Sequence, residues 1–100
     1  MRSRYSAFTL NLPKYIIQTT HPQNQDFTTD ITNWLQGIES FCLNTEFKNL
    51  QVITCKNTQN EAYITFRATL FSNGKDCSFT EKSKFFKVDG KWLYHSGEFL

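Results

Sequence analysis

The sequence predicts an α+β domain in which N-terminal helices pack on a curved antiparallel sheet of about four strands. In the first 41 residues, apolar side chains recur at helical spacings. In the remainder, two turn dipeptides, Asn73-Gly74 and Asp89-Gly90, separate stretches of alternating polar and apolar residues. A chain of 100 residues can form one core but not two. We therefore expect a single domain over residues 1–100.

The opening segment is predicted to be a helix with an unusual placement of charge. Its apolar stripe is formed by Met1, Tyr5, Phe8 and Leu12. Arg2 and Arg4 flank this stripe on opposite sides, so at least one guanidinium is expected near the core boundary. A charge in that position needs a partner.

Two further helices follow before the strands begin. Asn11 is available as a cap before Pro13, which predicts a short second helix through about Thr20, ended by His21-Pro22. A third helix is predicted from about Thr28 to Ser40, with a helically spaced stripe of Phe27, Ile31, Trp34, Leu35 and Ile38. These three helices must cover the apolar face of the sheet.

The two turns predict the register of three strands. Tight turns of type I′ pair Ser72 with Lys75 and Val88 with Lys91. Counting outward from them opposes Phe66 to Glu81, Ile64 to Ser83, Ala62 to Phe85, and Phe85 to Tyr94. Opposed residues share a face, and both hairpins give the same apolar face. A fourth strand is predicted from about Phe47 to Lys56.

Composition excludes several classes of protein. Hydrophobic residues make up 39% and aromatic residues 16%, which argues against disorder, and a net charge of +2 gives little support for nucleic-acid binding. Cys42, Cys55 and Cys77 lack the spacing of a disulfide framework or a zinc site, so we expect reduced thiols and no metal. No apolar run reaches the roughly 18 residues of a membrane span, and the start of the chain lacks a signal peptide's apolar region. We expect a cytoplasmic protein that binds neither membranes nor nucleic acid.

Four segments resemble the central domain of the YchJ-like bacterial proteins in order and spacing. They are residues 1–8 (MRSRYSAF), 20–22 (THP), 81–85 (EKSKF) and 90–94 (GKWLY), followed by Gly97. The resemblance covers nearly the whole chain. It implies a fold similar to nuclear transport factor 2, in which helices pack in the concavity of a bent sheet, and a family without an assigned biochemical function.

The chain departs from this family in one respect. Its members commonly carry a cysteine-rich SEC-C zinc motif before the arginine-rich opening, and sometimes another near the C-terminus. Neither is present in this sequence. We therefore do not transfer zinc binding, and we expect either a trimmed chain or a shortened member of the family.

Glu81 is the most informative single position, because the register places its carboxylate on the apolar face. A buried carboxylate must be paired, hydrogen-bonded or protonated. In the structural interpretation, Glu81 accepts a bidentate contact from Arg4 or Arg2 and so holds the first helix on the sheet. In the functional interpretation, Glu81 is a pocket acid or base. Since the same motif supplies both partners, the structural interpretation is favoured.

Other side chains are candidates for a pocket or for catalysis. His21 precedes a proline at a helix end, where a capping role is favoured over catalysis, and it forms an acid/base pair only if it shares a cavity with Glu81. Tyr94 is a third, weak catalytic candidate. With ten Phe in the chain, we expect the cone to be filled rather than hollow. If it is hollow, the candidate lining residues are Tyr5, Trp34, Phe66, Ser83, Phe85, Trp92 and Tyr94, beside Arg2, Arg4 and Glu81.

Three functional hypotheses remain open from the sequence. The preferred one is a noncatalytic module, without a cofactor, that binds a small ligand or a protein partner within a SEC-C-associated protein. The alternative is a small pocket enzyme of the hydrolase, isomerase or dehydratase type that uses Glu81, His21 and Tyr94. A homodimer through the outer face of the sheet is favoured by Tyr63, Phe71, Phe86 and Leu93 and opposed by the lysine-rich outer strands.

Overall fold

The computed structural model describes residues 2–100, with side chains from residue 3 onward. The expectations for Met1 and for the Arg2 side chain lie outside this range. Three helices precede the strands: α1 (Arg2–Thr9), α2 (Pro13–Gln18) and α3 (Ile31–Leu43). Five strands follow: β1 (Glu46–Asn57), β2 (Glu61–Ser72), β3 (Lys75–Asp76), β4 (Phe79–Val88) and β5 (Lys91–Phe99). The predicted α+β class, helices first, is confirmed.

Asn11 ends the first helix instead of beginning the second. Its φ is +54°, and the Leu12 amide donates to the Ala7 carbonyl at 2.8 Å while the Asn11 amide donates to the Phe8 carbonyl at 3.3 Å. This is a Schellman arrangement, which needs a residue that tolerates the left-handed conformation. The cap predicted at Asn11 is wrong, because Leu12 occupies the N-cap of α2 without a side-chain hydrogen bond. Leu12 is also exposed, so it leaves the predicted stripe.

The third helix begins and ends about three residues later than predicted. Asp30 forms its N-cap and accepts from the Asn33 amide at 3.4 Å. Phe27 lies before the helix and packs edge-on against Trp34, with ring centroids 5.5 Å apart. The buried face of α3 carries Ile38 and Cys42, with half-buried Trp34 one turn earlier.

The sheet has the predicted register. Its order is β1-β2-β4-β5, and the two-residue strand β3 also pairs with β2. Both turns have positive φ at their two central residues, and they pair Ser72 with Lys75 and Val88 with Lys91. The cross-strand pairs confirmed are Phe66 with Glu81, Ile64 with Ser83, Ala62 with Phe85, and Phe85 with Tyr94. The meander and its apolar face therefore follow from the two turn dipeptides.

An irregularity interrupts the last pair of strands. Phe85 opposes Tyr94, whereas Lys84 opposes Ser96, so His95 is an extra residue in β5. Such a bulge bends the strand and increases its twist. Beyond it, Gly97 opposes Ser83 and Phe99 opposes Glu81.

The buried side chains form two separate clusters. One lies among the helices and contains Ala7, Ile16, Ile38 and Cys42; the other lies on β2 and contains Phe66, Ala68 and Leu70. On the outer face of the sheet, Lys82 and Lys84 place their ammonium groups 5.6 and 5.7 Å from the Tyr63 ring centroid. None of the described helices combines the length and apolar character needed to cross a membrane.

Candidate functional site

A cavity of about 590 Å³ separates the two clusters. Its walls include Ile38 of the helical cluster and Phe66, Ala68 and Leu70 of the sheet cluster. It opens beside exposed lining residues from α3 and the preceding loop, namely Asp26, Asn33, Gly37 and Phe41. The expectation that ten Phe would fill the cone is wrong. Many of the rings line the space without occupying it, and the aromatic lining residues are Tyr5, Phe8, Trp34, Phe41, Phe47, Phe66, Phe79, Phe85 and Tyr94.

A polar cluster of Glu81, Ser83 and Tyr94 lines one side of this cavity. The Ser83 hydroxyl donates to Oε2 of Glu81, and the Tyr94 hydroxyl donates to the same oxygen at 3.2 Å. Ser83 is fully buried, while Glu81 and Tyr94 are half-buried. Two hydroxyl donors on one carboxylate oxygen hold Glu81 in place from the sheet itself, and no cation among residues 3–100 pairs with it.

Gly97 leaves the space that this cluster occupies. A Cβ at that position would come within 2.5 Å of the Glu81 carboxylate and of the Tyr94 hydroxyl. The backbone conformation does not itself require glycine at this position, because the φ of Gly97 lies outside the left-handed region. Gly97 is therefore needed to leave room for the side chains of the polar cluster.

Arg4 contacts the cavity from α1 but does not pair with Glu81. Its Nη1 donates to the Ile16 carbonyl at 3.1 Å, to Thr19 Oγ1 at 2.7 Å and to Thr20 Oγ1 at 3.4 Å. The Ile16 carbonyl, near the end of α2, also accepts from the Thr20 hydroxyl at 2.7 Å, so Arg4 is a further donor at this helix end. Among residues 3–100, no hydrogen bond or salt bridge joins Arg4 to Glu81, so the bidentate contact predicted between them is wrong. The same expectation for Arg2 lies outside the described side chains.

Tyr94 lies between the two charges. The Arg4 guanidinium carbon is 4.8 Å from the centroid of the Tyr94 ring, and the hydroxyl of that ring holds Glu81. A guanidinium over an aromatic face is attracted by the ring quadrupole. Arg4 and Glu81 thus both contact Tyr94, one at its ring and the other at its hydroxyl group.

The surroundings shift the pKa values of two of these groups. Burial lowers the pKa of the Arg4 guanidinium to about 10, although the neighbouring Tyr94, Tyr15 and Glu81 act in the opposite direction. Burial, together with the charge and hydrogen bond of Glu81, raises the pKa of the Tyr94 hydroxyl well above 10.0. Around neutral pH the site therefore holds a guanidinium cation and a protonated tyrosine.

Eight of the predicted site residues line the cavity together: Arg4, Tyr5, Trp34, Phe66, Glu81, Ser83, Phe85 and Tyr94. Trp92 does not line it. It is 37% exposed at the tip of the last hairpin and belongs to a separate groove beside Tyr15 and Leu93. That groove is lined from the helical side by residues of α1 and α2.

His21 also lies outside the cavity. Its ring packs against His95 and Phe86, with centroids 5.2 and 5.6 Å away, and its Nδ1 accepts from the Gln23 amide at 3.0 Å. The structure therefore does not bring together the acid/base pair proposed from Glu81 and His21. Because the His21 amide bonds to the Tyr94 carbonyl at 2.8 Å, the residue lies along the edge of β5.

The segment between α2 and α3 also forms a wall of the site, which the sequence did not predict. Thr20 and Asn24 are buried and line the cavity. Asn24 donates to the His95 carbonyl at 2.7 Å and accepts from the Asp26 amide at 2.8 Å. The sequence showed only a polar loop after His21-Pro22, and polar loops are ordinarily solvated. A buried asparagine there is explained by the unpaired carbonyl that the bulge leaves at His95.

The described residues offer no cluster suited to a metal ion. Within residues 2–100, no group of three or more His, Cys, Asp or Glu side chains is close enough to hold one. What the cavity offers instead is a largely aromatic, apolar wall with the guanidinium of Arg4, the carboxylates of Asp26 and Glu81, and the hydroxyl groups of Tyr5, Thr20, Ser83 and Tyr94. That combination is typical of a site for a small organic molecule.

Comparisons with known proteins place the chain in a family. The model of the YchJ middle NTF2-like domain matches residues 1–97. A UPF0225 protein of Vibrio vulnificus is 35% identical over 101 residues, which cover 99% of this chain and 57% of that protein. The chain thus spans little more than half the length of this curated relative.

Two solved structures agree. The solution structure of a SEC-C motif containing protein from Rhodopseudomonas palustris matches with a TM-score of 0.84 at 28% identity, covering 100% of this chain and 75% of that one. The crystal structure of a SEC-C motif containing protein from Psychrobacter arcticus matches with a TM-score of 0.76 at 30% identity, covering 96% and 56%. The family resemblance and the fold it implied are confirmed: the chain belongs to the family of bacterial YchJ middle domains, with an NTF2-like fold.

Proposed function

We propose that this domain is a noncatalytic module that binds a small, largely apolar organic molecule in the cavity between its helices and its sheet. The observation that carries the proposal is the cavity itself, about 590 Å³ in volume and lined mainly by aromatic side chains. Ligand sites of this size are typically apolar with a few convergent polar groups. Arg4 and the cluster of Glu81, Ser83 and Tyr94 supply those groups.

Binding is favoured over catalysis by the position of the candidate acid and base. The enzyme hypothesis needs a second proton-transfer group near Glu81, and His21 is turned away toward Phe86 and His95. Tyr94 has a raised pKa, and its proton is engaged by Glu81. A hydroxyl that donates to a carboxylate and resists ionisation is suited to holding that carboxylate and poorly suited to accepting a proton.

The setting of this module within a longer protein is part of the proposal. Two solved relatives are named as SEC-C motif containing proteins, and this chain spans 57% of the curated Vibrio relative. We propose that the ligand-binding domain forms the body of such a protein and that a SEC-C motif contributes contact with a protein partner. A cytoplasmic location and a homodimer through the outer sheet face stay predictions. Light scattering at high protein concentration tests the dimer.

The ligand proposal is tested with an uncharged fluorescent probe, N-phenyl-1-naphthylamine, whose emission rises in apolar surroundings. The unaltered chain is expected to bind one equivalent with saturation. Ala68, which is 2% exposed, lines the cavity from β2, so Ala68→Leu fills part of the space and is expected to abolish binding. Thr69→Leu places the same side chain on the outer face of the same strand and is expected to leave binding unchanged.

Two results would overturn the proposal. One is the absence of a saturable rise in emission with the unaltered, folded chain. The other is equal binding by Ala68→Leu and Thr69→Leu, which would locate the probe outside the cavity. Circular dichroism of each variant establishes that it is folded before its binding is compared.

A further inference from the structure

We infer that the ligand of this cavity carries one long, unbranched alkyl chain, which runs past Gly37 into a second groove at the end of α3. This inference rests on the proposed function and names the class of molecule that the site takes. It follows from an apolar junction between the cavity and that groove, and from the glycine that keeps the junction open.

The second groove, which we call the end groove, begins where the cavity ends. It has a volume of about 590 Å³, lies between the end of α3 and the turn from β2 to β3, and is lined on its far side by Asn44, Ser72 and Cys77. The residues that line both spaces are Gly37, Phe41, Leu70 and Phe79. The two spaces therefore meet across a junction with an apolar wall.

Together, the cavity and the end groove form a long, narrow trough beside α3. Asn33 lines the cavity and Asn44 lines the end groove, and these positions are about 16 Å apart along the helix axis at 1.5 Å per residue. A single aromatic ring does not extend over that length. An unbranched alkyl chain does, and it remains narrow enough to pass between the helix and the sheet.

The charged side chains are confined to the cavity. Arg4, Asp26 and Glu81 line it, whereas no charged side chain among the described residues lines the end groove. A polar head group of the ligand is therefore matched by the cavity, and an apolar chain is matched by the end groove.

The polar side chains of the end groove already bond within the protein. The Asn44 side-chain amide donates to the Ser40 carbonyl, and the Ser72 hydroxyl donates to the Asn44 carbonyl, both at 2.8 Å. A peptide in this groove would bring backbone amides and carbonyls that need partners of their own. An alkyl chain needs only apolar contact, which Phe41, Leu70 and Phe79 supply.

Gly37 is the junction residue that the protein does not need for its own structure. It lies inside α3, where glycine is less favourable than alanine, and its φ is not positive. A Cβ at this position would meet nothing within 4 Å, so packing against the rest of the chain does not require glycine either. Room for a ligand that passes from the cavity to the end groove accounts for it.

A series of primary alcohols tests the inference: hexanol, octanol and decanol. Each is titrated into the isotope-labelled chain, and NMR follows the Trp34 indole, which lines the cavity, and the Cys77 amide, beside the end groove. All three alcohols are expected to shift the indole, and decanol is expected to shift the Cys77 amide as well. The affinity is expected to rise about fourfold for each added methylene, the usual gain from burying that group.

Two variants of α3 locate the chain. Gly37→Leu places a side chain at the junction, so the gain in affinity from octanol to decanol and the shift of the Cys77 amide are expected to be lost, while hexanol still binds. Gln36→Leu adds the same side chain at an exposed neighbouring position that lines neither space, and it is expected to behave as the unaltered chain does. Circular dichroism establishes that both variants are folded.

Two further probes with the same chain length distinguish the sources of the chain. Decanoate represents a free fatty acid, and monodecanoylglycerol represents an acylated molecule. A shift of the Cys77 amide by either one supports the inference, and the probe that acts at the lower concentration identifies the source.

The outcomes separate this inference from the proposed function. If decanol, decanoate and monodecanoylglycerol all leave the Cys77 amide unshifted, or if Gly37→Leu and Gln36→Leu show the same gain from octanol to decanol, the alkyl-chain inference is overturned. A saturable shift of the Trp34 indole then leaves ligand binding in the cavity standing. If no probe shifts the indole and N-phenyl-1-naphthylamine also fails to bind, the proposed function is overturned as well. If N-phenyl-1-naphthylamine binds and none of the chain probes does, only the alkyl-chain inference is lost.

Discussion

The hydroxyl of Tyr94 holds the carboxylate of Glu81, at 3.2 Å, although the two residues are not opposed in the sheet. Tyr94 opposes Phe85, and Glu81 opposes Phe99. Their side chains meet over Gly97, where a Cβ would collide with both. The contact therefore depends on one glycine and on the bulge at His95, which changes the register between Tyr94 and Gly97.

Replacing this glycine is expected to disturb the site and the stability of the fold together. In Gly97→Ala, the new Cβ comes within 2.5 Å of the Glu81 carboxylate and the Tyr94 hydroxyl, so both must move and lose their hydrogen bond. We expect the free energy of unfolding to fall by about 1–3 kcal/mol, the usual cost of forcing an extra methyl into occupied space. Chemical denaturation measures the change.

Gly37 provides the matched control. A Cβ at this position in α3 meets nothing within 4 Å, and alanine is favoured over glycine inside a helix. Gly37→Ala is therefore expected to raise the free energy of unfolding by roughly 0.5–1 kcal/mol. Equal stability of Gly97→Ala and the unaltered chain would contradict the proposed crowding.

Arg4 and Glu81 are expected to be nearly independent in stability. Arg4→Met removes three hydrogen bonds to α2 and the residues after it, and is expected to cost about 1.5–3 kcal/mol. Glu81→Gln keeps an acceptor for Ser83 and Tyr94 and is expected to cost less. In a double-mutant cycle measured by denaturation, we expect a coupling energy below about 0.5 kcal/mol.

The alternative result has a clear meaning. A direct, buried ion pair is destabilised by about 3–5 kcal/mol when one partner is lost. A coupling energy approaching that size would show that Arg4 and Glu81 pair in solution, as the sequence alone suggested. The unaltered chain, both single variants and the double variant must all unfold in two states for the cycle to be valid.

The register of the strands could be predicted from the sequence, whereas the hydrogen-bond partner of Arg4 could not. Asn73-Gly74 and Asp89-Gly90 force one type of turn, and the period of two along a strand then assigns every side chain to a face. Whether Arg4 bonds to Glu81 or to the end of α2 is decided by the position of one helix against another, which no local pattern encodes. In the structure, Arg4 donates to the Ile16 carbonyl, and Glu81 accepts from hydroxyl groups of the sheet.

The cavity and the bulge are further features that the sequence leaves undetermined. Composition gives the aromatic volume available for the core but not the separation between α3 and the sheet. The bulge at His95 lies in an alternating stretch with no glycine or proline at the point of insertion. For the same reason, the sequence did not predict that Asn24 would be buried and donate to the His95 carbonyl.

Tyr94 is expected to make the protein sensitive to alkaline pH. Its folded-state pKa is raised above the ordinary value of 10.0, so above that pH the unfolded chain loses the proton more readily than the folded one. The stabilising contribution is present below 10.0 and is lost as the pH rises toward the folded-state pKa. Tyr94→Phe removes this dependence, and it is also expected to cost about 1–3 kcal/mol near neutral pH through the lost donor to Glu81.

Two measurements check the alkaline prediction. Tyrosinate absorbance just above 10.0 should report fewer titrating tyrosines in the folded chain than in the unfolded chain, and that difference should become smaller in Tyr94→Phe, leaving the part due to Tyr5, whose pKa is also raised by burial. Denaturation at increasing alkaline pH should show a steeper loss of stability in the unaltered chain than in Tyr94→Phe. Parallel losses would argue against a raised pKa at this hydroxyl.

His95 is expected to make the protein sensitive to mild acid. Burial, and then the nearby His21 and Lys84, lower the pKa of the His95 imidazole below its ordinary value of 6.5. Since the unfolded chain then binds the proton more readily, the stabilising contribution is present above 6.5 and is lost as the pH falls through the folded-state pKa. His95→Gln, which cannot be protonated, should show a smaller loss of stability than the unaltered chain when denaturation is measured about one unit above and one unit below 6.5. An NMR titration of the His95 ring gives an independent check, and a ring pKa above 6.5 would overturn the prediction.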